Sequence, residues 1–339
     1  MRKFNYLLTV VVIACLCLNV SHAQMRDFVG SNGRIIEAEF LGFNEATQIV
    51  NIRLRDGREQ NVRLDLFSAA CQQWIKAGGQ QGDDPFGDVV DPQTAGRPAG
   101  ERKVLTINDI EYAFRWCPPG TFTMGSPVNE QGRNENERQH RVTLTRGFWM
   151  LETEVTQEMW ESVMDDNPSE IKGDKLPVYR VSRNDCLVFV RLLNVLRAAP
   201  EGYRFSLPTE AQWEYACRAG TTTAFHFGNT LSREQANIDN NMRPSDVKTY
   251  RANAWGLYDM HGNVMEWVLD WHGEYPSGAV TDPVGQHARV GHPTDARGIL
   301  RGGSMNFGPP RARSAARWHN VPTHPGASYG LRLALVPAE

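Results

Sequence analysis

The chain reads as α+β: a small all-β unit followed by a larger, complex mixed unit with much irregular structure. Three observations carry this reading. Residues 26–77 alternate apolar and polar with period two around two hairpin signals. Residues 104–220 interleave short strand patterns with capped amphipathic helices. Beyond Gly220, Gly, Pro, Asn and Asp recur every few residues and long regular patterns stop. The 339 residues are 41% hydrophobic and 22% charged, which suits one large or two smaller globular domains. With 36 basic against 39 acidic residues and no basic run, nothing points to nucleic acid.

Residues 1–23 read as a signal peptide. Arg2 and Lys3 form a positive start, 6–20 is apolar, and Ser21-His22-Ala23 offers small residues for cleavage. The apolar run is short for a membrane span and lacks flanking stop-transfer charges, so an exported protein, periplasmic or secreted, is expected. Cys15 and Cys17 leave with the signal. Cys71, Cys117, Cys186 and Cys217 remain, and four cysteines allow three pairings. Cys186 with Cys217 is the favoured disulfide, since both fall in core-like segments of one domain; four free buried thiols is the alternative.

In residues 26–77, Asn32-Gly33 and Asp56-Gly57 mark hairpin turns. Ile35, Ala38, Phe40, Val50, Ile52, Leu54, Val62 and Leu64 face a core, and 68–77 closes as a short helix. About five strands in so short a segment suggest a small SH3-like barrel. Residues 78–103 are rich in Gly, Pro, Asp and Gln and read as a flexible linker.

The large unit starts at 104. Residues 104–107 and 112–116 are strands around Asn108-Asp109, 126–139 is a surface loop, and 141–145 is a strand. Helices are expected over 156–164, with Thr156 as cap, over 182–196, with Ser182 three residues before Asp185, and over 206–220. Pro208 fits the first turn of the last. Glu210 and Glu214 lie one turn apart there. They read either as an acid/base pair or, preferably, as structural carboxylates bonding backbone or Arg.

Asp259, Gly262, Asn263 and Glu266 form a turn between apolar runs. Two carboxylates flanking a Gly-permitted bend, with the intervening carbonyls, match the oxygen shell of calcium. The alternative is a buried loop, with Asp259 capping backbone and Glu266 paired with an Arg. Seven histidines follow Gly220 without an HxxxH or HExxH pair, so helical zinc ligation is not signalled.

GLYDMHGNVMEW at 256–267 resembles a signature of the formylglycine-generating, or sulfatase-modifying-factor, family. PPGTFTMGS at 118–126, LETEVTQEMW at 151–160, SLPTEAQWEYACRAG at 206–220, RGGSM at 301–305, RSAAR at 313–317 and YGLRLAL at 329–335 follow the same order. Over 104–337 the resemblance implies that family's fold, with a C-type-lectin-like core. It also implies calcium held by Asp259, Glu266 and the carbonyls of Gly262 and Val264, with Asn237 and Ile238 starting a second site. Residues 26–77 similarly resemble the Sla homology domain of endocytic adaptors, a protein-binding module.

Active relatives oxidise a sulfatase cysteine to formylglycine with copper(I) on a cysteine pair between the GGS and RxxxR motifs. Here that interval, Met305 to Arg311, holds no cysteine, and none follows Cys217. Copper(I) prefers thiolates, so neither copper nor that catalysis is expected. The resemblance departs again at Met265, Ser206 and Arg183, where the family carries Trp, Arg and Trp. The cleft candidates are Ser304, Met265, Arg313 and Arg317. Arg301, Arg311, Arg313 and Arg317 either bind an acidic or carbonyl ligand or pair with the helix carboxylates. The expected function is non-catalytic binding of a protein, peptide or glycan. A diverged oxidase and a structural surface-assembly protein are the alternatives.

Overall fold

A computed structural model of the protein describes residues 25–29, 35–54, 58–66, 72, 75–76, 96–240, 242–284 and 296–338. The chain divides into two compact units, residues 1–88 and 89–339.

In the first unit, β1 (Met25–Val29), β2 (Ile35–Asn44), β3 (Ile49–Leu54) and β4 (Glu59–Arg63) form an antiparallel meander in sequence order. Val50 and Ile52 on β3 are fully buried with Leu64 and Ile75, as alternation requires when one face meets a core. The meander has four strands among the described residues rather than about five. The signal segment, the 55–57 turn and most of the 68–77 helix lie outside the described residues.

The second unit begins before the expected boundary at 104. Arg97 lays its guanidinium over Trp116 and Trp149, and Gly100 N–H donates to Trp116 O. These contacts fix the end of the segment read as linker. β5 (Arg102–Ile107) and β6 (Ile110–Cys117) join through Asn108 and Asp109, both at positive φ, the two-residue turn that matches strand twist. β7 (Gly120–Met124), β8 (His140–Leu144) and β9 (Phe148–Leu151) follow.

Helix α1 (Gln157–Glu161) is capped by Thr156, whose side chain accepts from Met159 N. Helix α2 (Arg183–Val195) starts at a Ser182–Asp185 capping box. After β10 (Tyr203–Ser206), helix α3 (Glu210–Arg218) is capped by Thr209 with Gln212. Pro208 therefore precedes the cap rather than opening the helix, and its carbonyl accepts from Leu269 N. From 219 to 264 no regular element forms among the described residues. β11 (Met265–Trp271), β12 (Val280–Thr281), β13 (Gly298–Arg301), β14 (Trp318–Asn320), β15 (Tyr329–Leu331) and β16 (Ala334–Pro337) complete the unit.

The sheets run β10-β16-β9-β6-β5, β14-β13-β11-β15 and β12-β8-β7. In the first two sheets, the inner strands β9 and β13 are buried on both faces. On β9, Trp149 and Leu151 enter one core cluster while Phe148 and Met150 enter another. On β13, Leu300 and Ile299 divide likewise. Helix α2 packs Cys186, Phe189 and Leu193 into the first cluster, and α3 packs Trp213, Ala216 and Cys217 into the second. The expected Cys186–Cys217 disulfide is thus corrected: both thiols are free and buried, on opposite sides of two-faced sheets. Among the described residues no helix is long and apolar enough to cross a membrane.

The irregular stretch satisfies its buried backbone with side-chain amides, as it must. Asn253 Oδ1 accepts from Trp255 N and Leu257 N, and its Nδ2 donates to the α3 carbonyls of Ala216 and Cys217.

Candidate functional site: a cleft above a buried ion network

β13 ends at Arg301, which has no exposed surface. Its guanidinium donates to Glu210 Oε1 at 3.0 Å and Glu214 Oε2 at 2.6 Å. Arg317 grips both Glu210 oxygens, at 2.7 and 3.0 Å, and lies 3.9 Å from the Tyr275 ring centroid. Glu214 Oε1 accepts from Arg218 and from Gly125 N. Burial alone would raise the Glu210 carboxyl, but the Arg317 and Arg301 charges outweigh it and hold it below the usual range. Both carboxylates are structural, as the preferred reading had it, and neither has an oxygen free for proton transfer.

Arg313 is likewise committed. Buried at the base of the 126–139 loop, it donates to Glu137 at 2.7 Å, Glu130 at 2.6 Å, Gly132 O and Pro310 O. Desolvation would raise Glu137; hydrogen bonds from Arg313 and Ser126 lower it further than that. The loop expected to be merely superficial is pinned from below, with Ser126 and Glu137 buried.

Above this network lies a hollow of about 200 Å³. Met265 and Leu300 line its apolar part, Gly132 and Asn134 one wall, and Gly303, Pro310, Arg311, Ala316, Arg317 and Trp318 the other. Gly303 has φ +70°, and a Cβ there would meet Ala312 Cα at 2.7 Å and Arg311 O at 2.8 Å, so only glycine lets this wall approach. Of the cleft candidates, Met265 and Arg317 line the hollow. Ser304 is fully buried below, 3.1 Å from Ser328 Oγ, and Arg313 is the clasp just described. Trp318 was not foreseen: it directly follows RSAAR, with no periodicity to mark it.

Arg183, where the resemblance has Trp, is buried 4.2 Å from the Trp271 ring centroid and donates to Val268 O and Leu269 O. Burial lowers its pKa to about 10.

The structure brings the calcium-candidate segments together. Asn263 N–H donates to Asn237 O at 2.8 Å, and the two side-chain amides bond each other at 3.0 Å. Asp259, Gly262 and Asn263 all have positive φ. Asp259 Oδ2 accepts from Lys248 N, while its buried Oδ1 has no partner among the described residues. Burial pushes the Asp259 carboxyl up to about 6. Glu266 is held by Arg332 through both oxygens and by Trp213 Nε1 at 2.6 Å. Glu154, buried alongside, accepts from Val264 N and Asn263 Nδ2; burial, then the Asp259 and Glu266 charges, raise it well above normal. The described residues contain no group of three or more His, Cys, Asp or Glu poised on one metal. A site here would rest on carbonyl and amide oxygens beside Asp259.

No thiol reaches the cleft among the described residues. Cys117, Cys186 and Cys217 are buried, and burial raises each pKa, that of Cys217 to about 12. Cys217 Sγ instead faces Ser314 Oγ at 3.6 Å and His261 Nε2 at 3.8 Å.

The second unit is thus a mixed, sheet-rich domain with three α-helices among the described residues, presenting a cleft over paired arginines and glutamates. Residues 113–336 match the Sulfatase-modifying factor enzyme 1-like domain, more than half of the chain, and the chain belongs to that family. It is 34% identical over 179 residues to the formylglycine-generating enzyme of Streptomyces coelicolor, covering 47% of this chain and 52% of that one. Over 131 residues it is 37% identical to the serine/threonine-protein kinase pkn1 of Chlamydia caviae, covering 38% of this chain and 20% of the kinase. Among solved structures, PvdO from Pseudomonas aeruginosa superposes with a TM-score of 0.61 at 26% identity, over 70% of this chain and 99% of PvdO. The chain spans about half the length of the formylglycine-generating enzyme and a fifth of the kinase.

Proposed function

We propose that this protein is an exported, non-catalytic member of the family that binds a protein or peptide ligand in the cleft between Met265 and Trp318. The observation that carries this is a cleft that no thiol reaches among the described residues. The interval from Met305 to Arg311 has no cysteine, and the described thiols are locked in two core clusters. Copper(I) prefers soft sulfur ligands, thiolates above all, and Met305 offers only one fully buried thioether. What remains is a concave, partly apolar surface with charge at its rim, a binding geometry. The segment 1–23 supports export, and N-terminal sequencing of secreted protein should begin at Gln24.

The same reading places one structural calcium at the Asp259 turn. The unpartnered Asp259 Oδ1 supports it, with the carbonyls of Gly262 and Val264 as further donors, and Asn237 and Ile238 begin a second site beside it. Glu266 already accepts from Arg332 and Trp213, which leaves Asp259 as the firmest charged donor. The ion would brace two irregular loops and take no part in chemistry.

The experiment is mass spectrometry of a CxPxR sulfatase peptide incubated with purified protein, copper(I), oxygen and reductant. The peptide mass is expected to stay unchanged. Conversion of its cysteine to formylglycine above a no-protein control refutes the non-catalytic reading.

A further inference from the structure

Four arginines converge beneath and beside the cleft, and three are neutralised. Arg301, Arg313 and Arg317 each lie within 3.0 Å of buried glutamate oxygens. Arg311 differs. Its guanidinium lies 4.2 Å from the Phe307 ring centroid and 4.3 Å from that of Trp318, and no carboxylate pairs with it among the described residues.

This arrangement has a chemical direction. The two rings flank the guanidinium on adjacent sides, their own centroids 6.4 Å apart, and its N–H groups make no hydrogen bond among the described residues, so the fork remains to bond a ligand. Stacking also fixes the side chain in advance, which lowers the ordering cost of binding. The fork stands beside the hollow's apolar floor of Met265 and Leu300, which is almost fully buried. The hollow, about 200 Å³, is smaller than the roughly 300–1,000 Å³ typical of drug-sized ligands, so it suits one side chain or a chain terminus.

We propose that the cleft recognises a peptide carboxylate next to an apolar residue, and that Arg311 reads that carboxylate. This rests on the ligand-binding reading of the same cleft and names what it selects. The carboxylate comes either from an acidic side chain or from a free C-terminus; both present the planar, bidentate partner that an Arg fork matches.

The test uses fluorescence anisotropy on the full mature chain with four dye-labelled hexapeptides that share one leucine-containing body. One carries an internal Asp beside Leu with an amidated end. One ends in a free Leu carboxylate. One is neutral and amidated. One carries Arg in place of the Asp. One carboxylate peptide is expected to bind at least about tenfold tighter than the neutral one, the worth of a charge-assisted pair. Which of the two does so identifies the source. Arg311→Gln should erase that advantage, and Arg311→Glu should turn preference toward the Arg peptide. Because Arg311 is exposed, both variants should melt near the wild-type temperature, which separates lost recognition from lost folding.

Equal binding of neutral and carboxylate peptides, retention of the advantage in Arg311→Gln, or no binding of any peptide overturns the proposal. Formylglycine formation by the wild type would refute the non-catalytic reading on a separate signal, the peptide mass, whatever the anisotropy shows.

Discussion

Glu210→Gln removes one charge from the buried network and almost no volume. In the native protein the Glu210 carboxylate takes two hydrogen bonds from Arg317 and one from Arg301, all between 2.7 and 3.0 Å. The glutamine keeps one acceptor oxygen and turns an N–H₂ donor toward guanidinium N–H groups. Arg301 retains Glu214, but Arg317 loses its only ion-pair partner among the described residues. Breaking one side of a buried pair costs about 3–5 kcal/mol. For a domain of this size each kcal/mol moves Tm by about 2–4 °C, so a fall on the order of 10 °C is expected. The pH dependence supplies a second readout. The folded pKa of Glu210 is depressed, so its stabilisation is fully present above the unfolded carboxylate value, about 4.3, and is lost as pH falls through the folded value. The gap between wild type and variant should therefore be constant from pH 7 to about 5 and shrink on further acidification. Calorimetry of both proteins across pH 3–7 measures it. A variant within about 1 kcal/mol of wild type at neutral pH, or a gap that does not change with acid, would show that Glu210 is not the counter-ion described.

Three further expectations are simpler. The thiols of Cys117, Cys186 and Cys217 should not react with a disulfide reagent in the native protein and should react on unfolding; rapid native labelling would contradict their burial. Excess calcium over chelator should raise Tm, and Asp259→Ala should abolish that rise; identical melting in both solutions counts against the ion. Gly303→Ala should cost at least about 2 kcal/mol in urea unfolding, because a methyl there collides with Arg311 O and the Ala312 backbone; a neutral effect would mean the wall yields freely.

Local rules reached much of this architecture from the sequence. Thr156 on its helix, and Ser182 with Asp185, act within one turn, so those caps could be read directly. Asn108-Asp109 declared its hairpin for the same reason. The third helix was started too early, at Pro208 instead of after the Thr209 cap. Glu210 and Glu214 were readable as structural carboxylates, and Glu266 paired with an Arg as one of the two readings of its turn. Their partners Arg317, Arg301 and Arg332 lie 66 to 107 positions away, beyond any periodic pattern. The disulfide expectation failed because hydrophobic spacing shows that a helix face is buried and not which side of a sheet it meets. The cleft was least legible. Gly132 sits on a loop, Pro310 on a single 3-10 turn and Trp318 at the start of β14, and the first two are united only by the clasp of Arg313, which also holds Glu130 and Glu137.

That clasp has its own consequence. Arg313 bonds Gly132 O on one wall and Pro310 O on the other, so a single buried side chain spans the aperture. Buried pairs are screened little by salt, whereas exposed Arg311 is screened strongly. Ionic strength should therefore loosen a bound carboxylate while leaving the opening at constant width. A ligand would come and go by exchange with small ions, through a gateway that never has to open.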